Sequence, residues 1–285
     1  MKLINVETTY KPEVALENIV AIKDRSFSDM VSSIAEFFPS LQTSFKGSLD
    51  HLSSLKTLPS SLLTSLTNVN SFFSSGKITI DEFKAFNKVK IVVPESFTGN
   101  LYDYTNFVKR SNDFLQTKLL PELDIFYARL AAFASNKENK ISLLDYSSNY
   151  KSLEHDYQEL VKESVTYFGK NTHNKRTAEL GVTFSDFEQY KNTESSVKTL
   201  AKDLSNRQLS QVVDKVKKIS NVLDVIVEDA KKKEFSKASY ETVKSLATGI
   251  FTLAEMIEFY SVTYYRITEL AHVMVENRDI FKKLK

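Results

Sequence analysis

Few residues in this chain have a spacing suited to chemistry. Glu269-Leu270-Ala271-His272 has the Glu-x-x-His spacing by which di-iron helical proteins set two ligands on one inward helix face. Such a centre needs a second pair and further carboxylates on facing helices, and no other histidine here has a glutamate three residues before it. Ile267 and Ala271 belong to an apolar seam, so Glu269, His272 and Glu276 are expected on the opposite, solvated face. His155, Glu159 and Glu163 form a second helical ladder, which reads as a salt-bridged surface ahead of a metal site.

Gly76 to Phe83 matches the second half of a calcium loop, with Gly76 at loop position six, Ile78 at eight and Glu82 at twelve. The first half offers Ser71, Phe73 and Ser75 where hard carboxylate ligands belong. No calcium site is expected, and Thr79 or Asp81 is read as the cap of the next helix. The absence of cysteine removes disulfides, thiolate metal sites and a cysteine nucleophile together. No Gly-x-Ser-x-Gly turn activates a serine, and no glycine-rich loop cradles a phosphate. The expectation is a chain with no catalytic, cofactor-binding or metal residues and no small-molecule substrate, so not an enzyme.

Charge narrows the partners. The 38 basic and 36 acidic residues leave a net charge of +2, which describes a balanced surface. Lysines gather at Lys215, Lys217 and Lys218, at Lys231 to Lys233, and at Lys282, Lys283 and Lys285. They could neutralise phosphates, but Lys231 to Lys233 follow a helix C-terminal turn, where cations offset the macrodipole. Nucleic acid is therefore not the expected partner. Met1 to Glu7 lacks the apolar run of a signal peptide, so the expectation is a soluble cytoplasmic chain.

The elements that would carry any site are helical. Six glycines and five prolines among 285 residues are far below the roughly 12% usual for the pair, which favours few turns and long helices. Residues 1–94 read as a region of shorter helices, broken at Pro39 and Pro59. Lys88 to Pro94 is brief, alternating and β-branched, and is the best strand candidate, paired with Leu3 to Val6 in a two-stranded clip.

Residues 95–285 show sustained helical periodicity. Leu101, Tyr104, Val108, Ser111 and Leu115 continue into Leu119, Leu123, Phe126, Leu130 and Phe133, with a kink or break expected at Pro121. Later stripes run through Val197, Leu200 and Leu204 and then Leu209 to Ala230. The last helix keeps heptad spacing from Val243 through Leu253, Ile257, Tyr260, Tyr264 and Ile267 to Met274. The predicted fold is all-α: an elongated antiparallel bundle of long heptad-patterned helices with a smaller N-terminal helical region.

Ser245 to Tyr265 carries only Glu255 and Glu258 as charges and approaches the roughly 20 residues of a membrane span. A central bundle helix is the preferred reading, with a membrane-active bundle, pore-forming or surface-bound, as the alternative. Leu143, Tyr146, Tyr150, Leu153, Tyr157, Leu160, Ser164 and Tyr167 make a seam rich in tyrosine. Buried hydroxyls need partners, a situation commoner at subunit contacts than in dry cores, so Tyr146, Tyr150, Tyr157 and Tyr167 are the candidate interface.

With no cysteine or tryptophan, 13 tyrosines and 20 phenylalanines, the composition resembles that of structural proteins from AT-rich microbial or phage genomes. The expected function is a non-enzymatic structural or assembly protein, such as a virion component. It would dock through helix faces onto itself or a larger complex.

Overall fold

The computed structural model describes residues 79–86, 91–94, 99–135, 148–168, 177–180, 184–203, 206–231 and 240–283, with single positions between 39 and 64. Their elements are α1 (Ile80–Phe86), β1 (Ile91–Pro94), α2 (Leu101–Phe114), a π turn (Leu115–Leu119), α3 (Leu120–Ser135), α4 (Ser148–Phe168), β2 (Thr177–Leu180), α5 (Phe187–Asp203), α6 (Asn206–Lys231) and α7 (Tyr240–Lys283). The class is all-α. The one ladder among these residues pairs β1 with β2 antiparallel, Ile91 opposite Leu180 and Pro94 opposite Thr177. Leu3 to Val6, the partner expected for the first strand, lies outside the described residues, as do Leu143 and Tyr146.

The start of α2 follows from two residues. Gly99 holds a φ of 115°, a left-handed conformation that glycine adopts without steric penalty. Asn100 then caps the helix, its side-chain oxygen accepting the Asp103 N–H at 2.8 Å.

Pro121 neither breaks the helix nor ends it. The Leu120 N–H reaches the Leu115 carbonyl, an i to i−5 bond, so a π turn takes up the register just before the proline and the helix continues to Ser135.

Packing joins the elements in pairs. α3 lies on α6, α2 lies on α4 and α5, and α7 lies on α1, α2 and α5. Arg110 of α2 pairs with Glu163, while Lys118 of the π turn pairs with Asp156. Rising numbers on one side thus meet falling numbers on the other, so α4 runs antiparallel to α2. Phe83 of α1 joins the core by placing its ring 5.5 Å from Phe187 and 5.8 Å from Tyr190.

α7 departs from a one-stripe helix. Tyr260, Tyr264 and Ile267 of the expected seam are buried, and so are Met256, Phe259 and Leu270 away from it. A helix with neighbours on several sides buries more than one stripe, with each large side chain contributing roughly 1.5–3 kcal/mol. Among the described side chains, the partly exposed strip of α7 between Leu253 and Met274 narrows to Glu258, Tyr265 and His272, seven residues apart and half-buried. The side chains of Glu269 and Glu276 lie outside the described set.

Candidate functional site

Tyr157 and Tyr167 of the α4 seam face the protein's own interior. Tyr157 is 5% exposed, its ring 6.5 Å from Phe114 of α2 and 5.6 Å from Phe259 of α7. Burial, and then Glu255 and Glu258, push its hydroxyl above the usual tyrosine range.

Tyr167 is 8% exposed, and its hydroxyl donates to the Asp103 carbonyl at 3.2 Å. Its ring stands 5.8 Å from Tyr104 and 5.4 Å from Phe107. Burial, then Glu163 and Asp103, push it up, while Arg110 opposes. The reading of Tyr157 and Tyr167 as docking residues is corrected: neighbouring helices of the same chain cover them, and the hydroxyl of Tyr167 finds a backbone partner there. Tyr150 lies in α4 with its side chain outside the described set, and Tyr146 lies outside the described residues altogether.

The histidine ladder of α4 does not converge. His155 is exposed, Glu159 pairs with Lys162 at 2.7 Å and Glu163 pairs across to Arg110. The hydrogen bond from Lys162 holds the Glu159 carboxyl below its ordinary range. Thr79 stands just before α1, its carbonyl accepting the Phe83 N–H at 3.0 Å, and Asp81 pairs with Lys84 at 3.8 Å. Ser71, Phe73, Ser75 and Gly76 lie outside the described residues. Among the described residues, no group of three or more histidine and carboxylate side chains is placed to hold a metal ion. Lys215 of the first lysine cluster is held by Asp124 at 2.6 Å.

Three arrangements went unforeseen. The first is an open polar cleft of about 430 Å³ between the start of α2 and the end of α4, lined by Gly99, Asp103, Asn106, Arg110, Thr166 and Tyr167. Its cation, Arg110, is paired with Glu163, so the cleft presents hydrogen-bonding groups beside the acidic side chain of Asp103.

The second is an outward apolar face on α3. Ile125 is 42% exposed, with Pro121 and Ala128 exposed on the same stripe, while Tyr127, 37% exposed, lies on the other flank of the helix beyond Asp124. Val225 of α6 is 50% exposed as well. The inward stripe of α3 was legible as Leu123, Phe126, Leu130 and Phe133. The spacing of Pro121, Ile125 and Ala128 by four and three was the available signal for its back.

The third is a carboxylate cluster where α4 meets α7. Glu255 is half-buried, and burial, then Glu258 and Glu154, push its carboxyl up to about 7. Further along α7, the buried guanidinium of Arg266 sits 5.0 Å from the centre of the Phe107 ring, a cation–π contact. Among the described residues no helix is long and apolar enough to cross a membrane. No protein-family model, no curated protein and no solved structure matches this chain.

Proposed function

We propose that this chain is a non-enzymatic structural or assembly protein that docks through a helix face onto copies of itself within a larger complex, such as a virion. In this reading its long helices make an elongated antiparallel bundle, with the β1–β2 ladder as a clip. The supporting observation is the outer face of α3. That helix already buries Leu123, Phe126, Leu130 and Phe133 inward, yet it turns Ile125 and Tyr127 to solvent on its other sides.

A solitary exposed apolar side chain is ordinary on a protein surface. Pro121, Ile125 and Ala128 share one stripe of one helix, and a helix apolar on two faces gains by burying the second. The interface is thus assigned to α3 and away from the tyrosine seam of α4.

Replacing Ile125 with a photo-crosslinking amino acid tests the assignment. Intermolecular crosslinks between copies are expected from position 125 and not from the buried position 190. Equal crosslinking from both positions, or none from 125, would contradict the proposal.

A further inference from the structure

α4 is held differently on its two flanks. At about 100° per residue, its buried stripe of Leu153, Tyr157, Leu160, Ser164 and Tyr167 has Asp156 and Glu163 on one side and Glu154 on the other. The first flank is tied to α2 and the π turn by Lys118–Asp156, Arg110–Glu163 and the Tyr167 hydroxyl on Asp103.

The second flank meets α7 through the edge-on contact of Tyr157 with Phe259, and the carboxylates beside that contact among the described residues are of one sign. Glu255 and Glu258 precede Phe259 by one turn and by one residue, and Glu154 precedes Tyr157 by one turn. All three carboxylates are half-buried.

The described charges that act on Glu255 are Glu258 of its own helix and Glu154 of α4, both repulsive. Of the cations of α2 and the π turn, Arg110 and Lys118 are engaged on the far flank of α4, and Lys109 is exposed. On α5, Lys198 is paired with Glu194 at 3.3 Å. α1 carries the Asp81–Lys84 pair at its exposed start. Arg266 shares the α7 stripe of Glu255 and Phe259 but lies three turns on, roughly 16 Å along the axis, over Phe107.

We propose that Glu255, set between Glu154 and Glu258, makes the packing of α4 on α7 pH-dependent: the contact is tight while Glu255 holds a proton and loosens when it is ionised. A proton on Glu255 relieves its repulsion with both neighbours and leaves a neutral carboxyl group beside the Tyr157–Phe259 rings. Full ionisation places three like charges in a partly desolvated seam.

The sign follows from the direction of the shift. The packed state holds the Glu255 proton to about pH 7, whereas an opened seam releases it in the ordinary carboxylate range. The contact therefore weakens as pH rises between those limits and changes little above them. The ties of α4 to α2 involve pairs without this cluster, so they persist. This device stands independently of the docking face on α3.

Amide hydrogen exchange on the full chain at pH 5.5 and pH 8.5, corrected for the intrinsic rate, tests the proposal with α5 as internal reference. Protection of Leu153 to Leu160, relative to α5, is expected to fall by about tenfold or more at the higher pH. Glu255→Gln keeps the side-chain shape without the charge, and should retain at pH 8.5 the protection it has at pH 5.5. Glu154→Gln, on the flank of α4, should reduce the same pH response by a smaller factor. Equal wild-type protection at both pH values would overturn the proposal. So would a fall shared equally by α5, or a pH response unchanged in both variants.

Discussion

The ring of Tyr157 meets the ring of Phe259 edge-on, centroids 5.6 Å apart at 84°, and this contact joins α4 to α7 inside one chain. Phe114 packs on the same tyrosine from α2 at 28°, so a single side chain ties three helices. Tyr157→Ala should lower stability by about 3–5 kcal/mol, in the range for removing a buried aromatic ring. Tyr157→Phe should cost far less. Urea unfolding followed by far-ultraviolet circular dichroism measures both, and a loss below about 1 kcal/mol for the alanine variant would show that the ring is not core.

The start of α2 depends on backbone conformation more than on contacts. Asn100→Ala removes the oxygen that accepts the Asp103 N–H and should cost about 1 kcal/mol. Gly99→Ala is also expected to destabilise, by ~1 kcal/mol, because its φ of 115° suits glycine. A Cβ there would meet Tyr167 ring carbons at 3.5 Å, an ordinary contact, so the penalty belongs to the backbone. Thermal melts of the two variants check this. An unchanged midpoint for Gly99→Ala would mean that the turn relaxes freely.

Ion pairs on the α2 side of α4 should position the helix without adding much stability. Arg110 and Lys118 are about half exposed, so a double-mutant cycle on Lys118 and Asp156 should return a coupling of roughly 0–1 kcal/mol. The coupling should shrink further in 1 M salt, where screening is strong. A salt-independent value of several kcal/mol would contradict the surface description.

Global stability should carry the mark of Glu255. Its folded carboxyl is raised from the ordinary range to about 7, so the folded state binds the proton more tightly than the unfolded one. Stability is then greatest below the ordinary carboxylate range, falls as pH climbs toward 7, and levels off above it. After allowance for partial exposure, Glu255→Gln should raise stability at pH 8 by roughly 1–3 kcal/mol and change it little at pH 4. Denaturant curves at the two pH values decide the point, and equal effects of the substitution at both would count against the assigned cause.

The all-α class was legible because it rests on local signals: scarce glycine and proline, and apolar residues stepping by three and four. The burial of Leu123, Phe126, Leu130 and Phe133 follows directly from that pattern. What periodicity could not convey is how many neighbours each helix has. The seam through Tyr260 and Tyr264 is real, but α7 is enclosed by α1, α2 and α5, which also buries Met256, Phe259 and Leu270. Tyr157 and Tyr167 of α4 were misread for the same reason. A hydroxyl on a seam signals the need for a polar partner, and Tyr167 finds one in the Asp103 carbonyl of its own chain. Proline at 121 was recognised as a disturbance, but its outcome as a π turn depended on the register of the surrounding helix. The carboxylate cluster lay beyond reach because Glu154 and Glu255 are far apart in sequence and meet only when α4 packs on α7.

The central claim is that the outer face of α3 docks copies of this chain together, and light scattering behind size-exclusion chromatography tests it most directly. The wild type should elute at a multiple of its 32.5 kDa mass, and Ile125→Glu combined with Ala128→Glu should reduce it to 32.5 kDa without loss of helicity. A wild-type chain that remains at 32.5 kDa at every concentration tested would contradict the account.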